Sequence, residues 1–261
     1  AVVSAASRGI GLEFTRQLLA RPDTRVFAVT RSNSPSKGLA PLLEQYGSRL
    51  TIVPNVDLTD PSSIAAGVDM ISGACKGSSG PPIDLLINCA GILGDNSESM
   101  PGPEKSIFKV DPQWLERTMR VNFMSHVLMT QGIAPLMKRT VKKNTTADSI
   151  SIAKIINISA RVGSIEDNAL GGWLSYRCSK AALNQFTKTA ALELKRSHCA
   201  VISLHPGTTN TDLSTPFQKN LPVGQLMSPE DACSKMMAVI DGIRLDDTGG
   251  FFAYNGKPIA W

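Results

Sequence analysis

At 261 residues, with 42% hydrophobic and 19% charged residues, the chain has the size and composition of one large α/β domain with a full core. The net charge of +5 is modest, and the cluster Lys138, Arg139, Lys142 and Lys143 reads as a solvated loop rather than a nucleic-acid surface. No apolar run reaches the ~18 residues that would read as a membrane span. The five cysteines form no C-x-x-C pair, and histidines 126, 198 and 205 show no H-E-x-x-H spacing, so reduced thiols and no metal site are expected. These features point to a cytoplasmic protein. An opening on Ala1 inside an apolar run, without methionine, leaves room for an upstream targeting segment and an organelle.

In chain order, AVVSAASRGIGLEFTRQLLA reads as a strand, a turn of small residues and a helix with Ile10, Phe14 and Leu18 on one face. The turn holds Gly9 and Gly11 after the small residues from Ser4 to Ser7. Free amides at a helix N-terminus there suit a pyrophosphate. RVFAVTR (25–31) is a second strand. It ends in Thr30, Arg31 and Ser32, without the acid that would bond an adenosine 2′-hydroxyl; Arg8 and Arg31 instead suit a 2′-phosphate, which favours NADP(H) over NAD(H). A third strand, 50–60, runs into Asp57 and Leu58, and a helix follows at Pro61 with Asp60 as its cap. Residues 82–91 form a fourth strand ending in Asn88, Ala90 and Gly91.

Residues 92–110 read as a loop, and a long helix over 111–139 carries Asn122 on an otherwise apolar stripe. Strands at 153–159 and 200–207 follow, separated by a second long helix over 172–197. A Thr-rich loop to about Asn220, a helix near 229–243 and the strand GGFFAY complete the chain. Strands alternating with helices at this rhythm predict a parallel sheet covered by helices on both faces, in one domain over 1–261. Trp173, Phe217, Phe251, Phe252 and Trp261 are candidate pocket aromatics.

Tyr176 and Lys180 are four residues apart and so share one face of the second long helix. A phenol with a pKa near ~10 is a poor proton donor at neutral pH. A neighbouring ammonium favours the phenolate, so Lys180 is expected to lower the Tyr176 pKa and create a proton relay between an alcohol and a carbonyl.

Together these residues resemble the short-chain dehydrogenase/reductase family over essentially the whole chain, and more narrowly its C-factor and sniffer-type carbonyl reductase branch. The family's T-G-x-x-x-G-x-G turn is matched by Ser4-Ala5-Ala6-Ser7-Arg8-Gly9-Ile10-Gly11, its N-N-A-G by Asn88-Cys89-Ala90-Gly91, and its Y-x-x-x-K by Tyr176 and Lys180. The resemblance implies a Rossmann-type doubly wound sheet of about seven strands. It also implies an NADP(H)-dependent oxidoreductase acting on a ketone, aldehyde or secondary alcohol. Tyr176 would be the proton donor, Lys180 would bond the nicotinamide ribose, and Asn122 would hold a water leading to solvent. Ser4, Ser7, Gly9, Ile10 and Gly11 would meet the diphosphate, Asp57 and Leu58 the adenine, and Asn88, Ala90 and Gly91 the ribose region. Pro206 and Gly207 would close over the nicotinamide, with Thr209 and Thr211 near its carboxamide. A homodimer or homotetramer paired through the two long helices is implied as well.

Two departures stand out. Ala5 replaces the first glycine of the turn, which is tolerable only with a negative φ. Counting back from Gly163 in the family's S-x-x-G pattern gives Ala160, where relatives carry the serine that polarises the substrate carbonyl. Ser159 is the first substitute, Ser164 the second, and a site with no serine the third. These departures keep open an alternative: a cofactor-binding regulatory or signalling protein with vestigial chemistry.

Overall fold

Seven short apolar runs form one parallel sheet in the computed structural model, which describes residues 1–76, 82–94, 103–137, 152–222 and 224–261. The strands are β1 (Val2–Val3), β2 (Val26–Val29), β3 (Leu50–Val53), β4 (Leu85–Asn88), β5 (Ala153–Ile158) and β6 (Cys199–His205). A separate pair, β7 (Thr208–Thr209) with β8 (Leu226–Met227), precedes β9 (Phe251–Ala253) at the sheet edge. The order across the sheet is β3-β2-β1-β4-β5-β6-β9. The helices are α1 (Gly9–Leu19), α2 (Leu39–Tyr46), α3 (Pro61–Cys75), α4 (Pro112–Met119), α5 (Ser125–Ile133), α6 (Leu174–Leu194) and α7 (Pro229–Gly242).

Period-two alternation explains why both faces are covered. Val3, Ala28, Ile156 and Ile202 point to one core, closed by Phe14 and Leu18 of α1, Leu39 of α2 and Met236 and Ile240 of α7. Their neighbours Val2, Phe27, Ile155 and Val201 point to the other, closed by Ile64 and Ile71 of α3, Met129 and Ile133 of α5 and Ala190 of α6. The helix starts follow their caps. Asp60 accepts from the Ser62 N–H at 2.9 Å and Asp111 from the Trp114 N–H at 2.7 Å, each with proline as the first helical residue.

The strands are shorter than the apolar runs that encode them. β2, β3 and β4 leave the ladder at Val29, Val53 and Asn88, and the remaining residues turn outward as loops. Helix α2 escapes sequence expectation because its eight residues offer only Leu39 and Leu42 as buried positions. The helix expected over 111–139 is not uniform: Arg120–Met124 between α4 and α5 is a π-turn, and helical structure continues through a 3-10 turn to Met137. Its expected end at Arg139 and the cluster Lys138–Lys143 lie outside the described residues.

Strand order reverses at β1, which pairs with β2 on one side and β4 on the other. In open α/β sheets a crevice forms at such a switch point, beyond the carboxyl ends of the strands. The Ser4 hydroxyl spans it by accepting from the Cys89 N–H at 2.9 Å.

Candidate active site

The turn from β1 into α1 leaves its amides open. Arg8, the residue before the helix, gives no side-chain cap, and no acid sits in the first turn. The N–H groups of Gly9, Ile10 and Gly11 therefore face outward with the positive end of the helix dipole, an arrangement that fits a diphosphate. Gly11 has to be glycine, because a methyl there would lie 2.4 Å from the Ala5 carbonyl oxygen. Gly9 has φ +54°, and a methyl on it would sit 3.5 Å from Cγ2 of Thr211. Ala5 does not have the negative φ required of it by sequence: its φ is +52°. The turn needs the left-handed conformation whichever residue occupies it, so the alanine carries about 1–2 kcal/mol of local strain. Ser7 offers its carbonyl to the Ser36 hydroxyl at 2.7 Å, which ties the turn to the segment before α2.

At the far end of the crevice Asp57 accepts from the N–H and hydroxyl of Thr59, at 2.9 and 2.8 Å. Those bonds, with a smaller contribution from Arg31, hold its carboxyl below the usual range. Arg31 is exposed, and Arg8 is exposed in an ion pair with Asp212 at 2.8 Å. Leu58 packs against the core beneath. Asn88 is displaced from its expected place near a ribose. It is fully buried and donates to Thr130 Oγ1 and Asn157 Oδ1 at 3.0 Å each, fastening β4 to α5 and β5. Just beyond, the Ala90 carbonyl meets the buried His126 Nε2 at 2.9 Å, and a methyl on Gly91 would lie 3.7 Å from Lys180 Nζ.

Tyr176 and Lys180 stand one turn apart on α6, both buried, with the ammonium 5.8 Å from the phenol ring centre. Lys180 donates to the Ile158 carbonyl at 2.8 Å. Burial lowers its pKa to about 8, offset in part by Cys89. The Tyr176 phenol moves opposite to expectation: burial pushes it above its ordinary 10, and the ammonium, engaged elsewhere, does not pull it down. Asn122 lies in the π-turn and is fully buried. Its side chain accepts from the Ile92 N–H at 2.7 Å and donates to the Ile92 carbonyl and to Ser179 Oγ at 2.9 and 3.1 Å. Ser179 in turn donates to the Tyr176 carbonyl at 2.8 Å. The Asn122 amide is thus a brace between loop and helix. π-turns of this kind are common at functional sites.

The serine question resolves geometrically. Ser159 faces away from Tyr176 and donates to Asn184 Oδ1 at 2.7 Å, because successive strand residues point to opposite faces. Ser164 donates to the Trp261 carbonyl at 3.2 Å. Ala160 takes the position against Tyr176, in an apolar cluster with Leu93, Val162, Trp173, Leu213 and Phe217. Gly163 lets this turn rest on α6, since a methyl there would come within 2.7 Å of Lys180 Cβ. Of the candidate aromatics only Trp173 and Phe217 belong to this cluster, with ring centres 4.9 Å apart; Phe251 stacks on Trp261 away from it.

Two features had no sequence signal. Gly171, Gly172 and Trp173 are three consecutive left-handed residues, with φ +64°, +65° and +53°. They form a reversed turn that swings the Trp173 ring edge-on to Tyr176, 6.4 Å between centres. Glu104, 7% exposed, then serves as the missing cap of α6: its carboxylate accepts from the N–H and hydroxyl of Ser175, and its carbonyl accepts from the Trp173 N–H.

The segment after β6 is shaped by Gly207, whose φ is +70°; a methyl on it would meet Met227 at 2.4 Å. Thr209 is buried and donates to the Pro206 carbonyl at 3.3 Å, and the Thr211 hydroxyl donates to the Thr209 carbonyl at 3.4 Å. An open amide turn, a buried tyrosine and lysine one turn apart, and strand order reversing between them are the marks of one family. A profile described as short chain dehydrogenase matches residues 1–222.

The chain belongs to the short-chain dehydrogenase family.

It is an oxidoreductase of that type. Its fold is similar to the NADPH-bound carbonyl reductase from chicken fatty liver, at 31% identity and TM-score 0.83, covering 100% of this chain and 98% of that one. It is also similar to the carbonyl reductase Sniffer of Drosophila melanogaster, at 28% identity and TM-score 0.84 with the same coverage. The C-signal protein of Myxococcus xanthus is 28% identical over 180 residues, 69% of this chain and 93% of that protein. Among short-chain dehydrogenases a nicotinamide dinucleotide fits what is seen here. The open α1 amides and the glycines at 9 and 11 suit its diphosphate, and the buried Lys180 lies 5.8 Å from the Tyr176 ring centre. Among the described residues no group of His, Cys, Asp and Glu could hold a metal ion, and no helix is long and apolar enough to cross a membrane.

Proposed function

We propose that the chain is an NADP(H)-dependent carbonyl reductase. The observation that carries this reading is the buried Tyr176 and Lys180 pair, one turn apart on α6, with Tyr176 packed into an apolar cluster that suits an organic carbonyl. When bound, a reduced nicotinamide supplies the hydride. The amides of Gly9, Ile10 and Gly11 would bind its diphosphate, and Asp57 would bond the adenine. Arg31, exposed and acting on Asp57, favours the 2′-phosphate of NADP(H), and the exposed Arg8 would join it by leaving its ion pair with Asp212. Support also comes from the chicken carbonyl reductase, which is described with NADPH bound.

The raised phenol pKa suits reduction. Tyr176 stays protonated at neutral pH and its O–H donates to the carbonyl oxygen as charge develops there. Lys180, with its pKa lowered to about 8, can then relay a proton from solvent to the phenolate. The apolar wall of Leu93, Val162, Trp173 and Phe217 excludes water and prefers an uncharged substrate.

The test is a pair of fluorescence titrations with NADPH and NADH, followed by turnover of a carbonyl panel by wild type and Tyr176→Phe. The phenylalanine variant is expected to bind NADPH as wild type does and to lose at least about 10²-fold in kcat, the usual contribution of a positioned proton donor. Unimpaired turnover by that variant refutes the assignment. A second reading, a cofactor-binding regulator, is favoured by the methyl groups at Ala5 and Ala160. It wins if NADPH binds tightly and no carbonyl on the panel is reduced.

A further inference from the structure

An oxygen that gains negative charge in a transition state is stabilised by donors aimed at it in advance, and loss of one such donor slows reactions by about 10²–10³-fold. Among the described residues around Tyr176 the side-chain donors are few. Leu93, Ala160, Val162, Leu213 and Phe217 offer none. The Ser159 hydroxyl is committed to Asn184 and the Ser164 hydroxyl to the Trp261 carbonyl, while the Lys180 ammonium, 5.8 Å from the Tyr176 ring centre, gives one of its three N–H groups to the Ile158 carbonyl. We propose that this is a one-donor site: the Tyr176 hydroxyl alone stabilises the developing alkoxide, and Ala160 restricts turnover to flat, electron-poor carbonyls such as vicinal diketones and aryl ketones bearing electron-withdrawing groups. The proposal rests on the carbonyl reductase reading and narrows its substrate class.

The chemistry follows from what the site lacks. As the new C–H bond forms with the hydride of the dihydronicotinamide, which is oxidised, the C=O π pair moves to oxygen, and the Tyr176 O–H bond breaks to protonate it. The phenolate recovers its proton from solvent. An electron-withdrawing neighbour makes the carbon a better hydride acceptor and the alkoxide less basic, so less help from donors is needed. The tilted Trp173 and Phe217 rings, 4.9 Å apart, present aromatic faces that favour flat partners. A charged acceptor would be stripped of water in this wall with nothing to pair it.

The experiment compares wild type, Ala160→Ser and Trp173→Phe on acetophenones graded by ring substituent, with saturation by NADPH checked by fluorescence. Wild type is expected to reduce the electron-poor members with a steep dependence of log kcat/KM on substituent. Ala160→Ser is expected to raise turnover of unsubstituted acetophenone by about 10²-fold and to flatten that dependence. A second readout needs no turnover: the infrared stretch of a ¹³C-labelled carbonyl bound with oxidised nicotinamide should fall to lower frequency in Ala160→Ser. Equal slopes with an unshifted stretch overturn the proposal. So does an upward shift in Trp173→Phe, which would make the indole N–H a second donor. Failure of every protein to reduce any member, with NADPH bound, defeats the reductase reading instead, and the infrared shift still counts the donors.

Discussion

Removal of the Glu104 carboxylate should loosen the start of the helix that carries Tyr176. Glu104 and Ser175 are both buried, and the carboxylate satisfies two donors of Ser175, its N–H and its hydroxyl. In Glu104→Ala both are left without a partner away from water, each at about 1–3 kcal/mol, and an anion near a helix N-terminus is lost at about 0.3–1 kcal/mol. With partial relaxation a net loss of about 2–4 kcal/mol is expected, or about 5–15 °C in Tm for a chain of this size. Glu104→Gln keeps one acceptor and should lose about half as much. Urea unfolding followed by circular dichroism measures the loss. A double-mutant cycle with Ser175→Ala should return a coupling above about 1 kcal/mol, as expected of contacting residues. At temperatures where both proteins remain folded, Glu104→Ala should lower kcat while leaving NADPH affinity unchanged. A loss below about 0.5 kcal/mol, the range of ordinary surface substitutions, would refute the reasoning, because the carboxylate would then not be capping the helix.

Ala5→Gly should relieve the left-handed strain of about 1–2 kcal/mol, less about 0.4–1 kcal/mol for the freer unfolded chain, and so raise the urea midpoint slightly. A midpoint lower than wild type would show that the methyl packs favourably. His126 should make the fold acid-sensitive: burial, with Lys180 nearby, lowers its pKa from 6.5 to about 3. The unfolded chain therefore binds the extra proton first, and stability present above pH 6.5 is lost as pH falls toward 3. Between pH 6.5 and 5 the loss should be about 2 kcal/mol, and His126→Gln should show a shallower fall. Parallel pH profiles of the two proteins would count against this assignment.

The fold was legible because the βα rhythm and the apolar runs are strong signals, and the seven-stranded sheet has the expected parallel order. The site was legible in part. Tyr176, Lys180 and the glycine turn depend on short spacings along one helix or one turn, which sequence displays directly. Asn88 and Ser159 are different, because their roles depend on which face of a strand end each side chain takes, and a twist of one residue reverses it. The phenol shift was misjudged for a related reason: four-residue spacing places Lys180 nearby but does not reveal that the Ile158 carbonyl engages it. Glu104 could not be read at all. It reaches Ser175 across 71 positions of sequence, out of a loop with no pattern of its own.

The placement of β1 inside the sheet, third of its seven strands, also has a consequence in time. Val2 pairs with Phe27 on one side and with Leu86 on the other. During synthesis the first neighbour emerges soon after β1, but the second comes only after α3 has been made. For that interval the future middle of the molecule is an open edge, with unpaired backbone groups available to any extended chain nearby. At ribosomal speeds of roughly 5–20 residues per second the exposure lasts several seconds. The same short segment that will shape the diphosphate turn is therefore the one most dependent on timely arrival of β4, and slow translation between residues 30 and 86 would favour misassembly over folding.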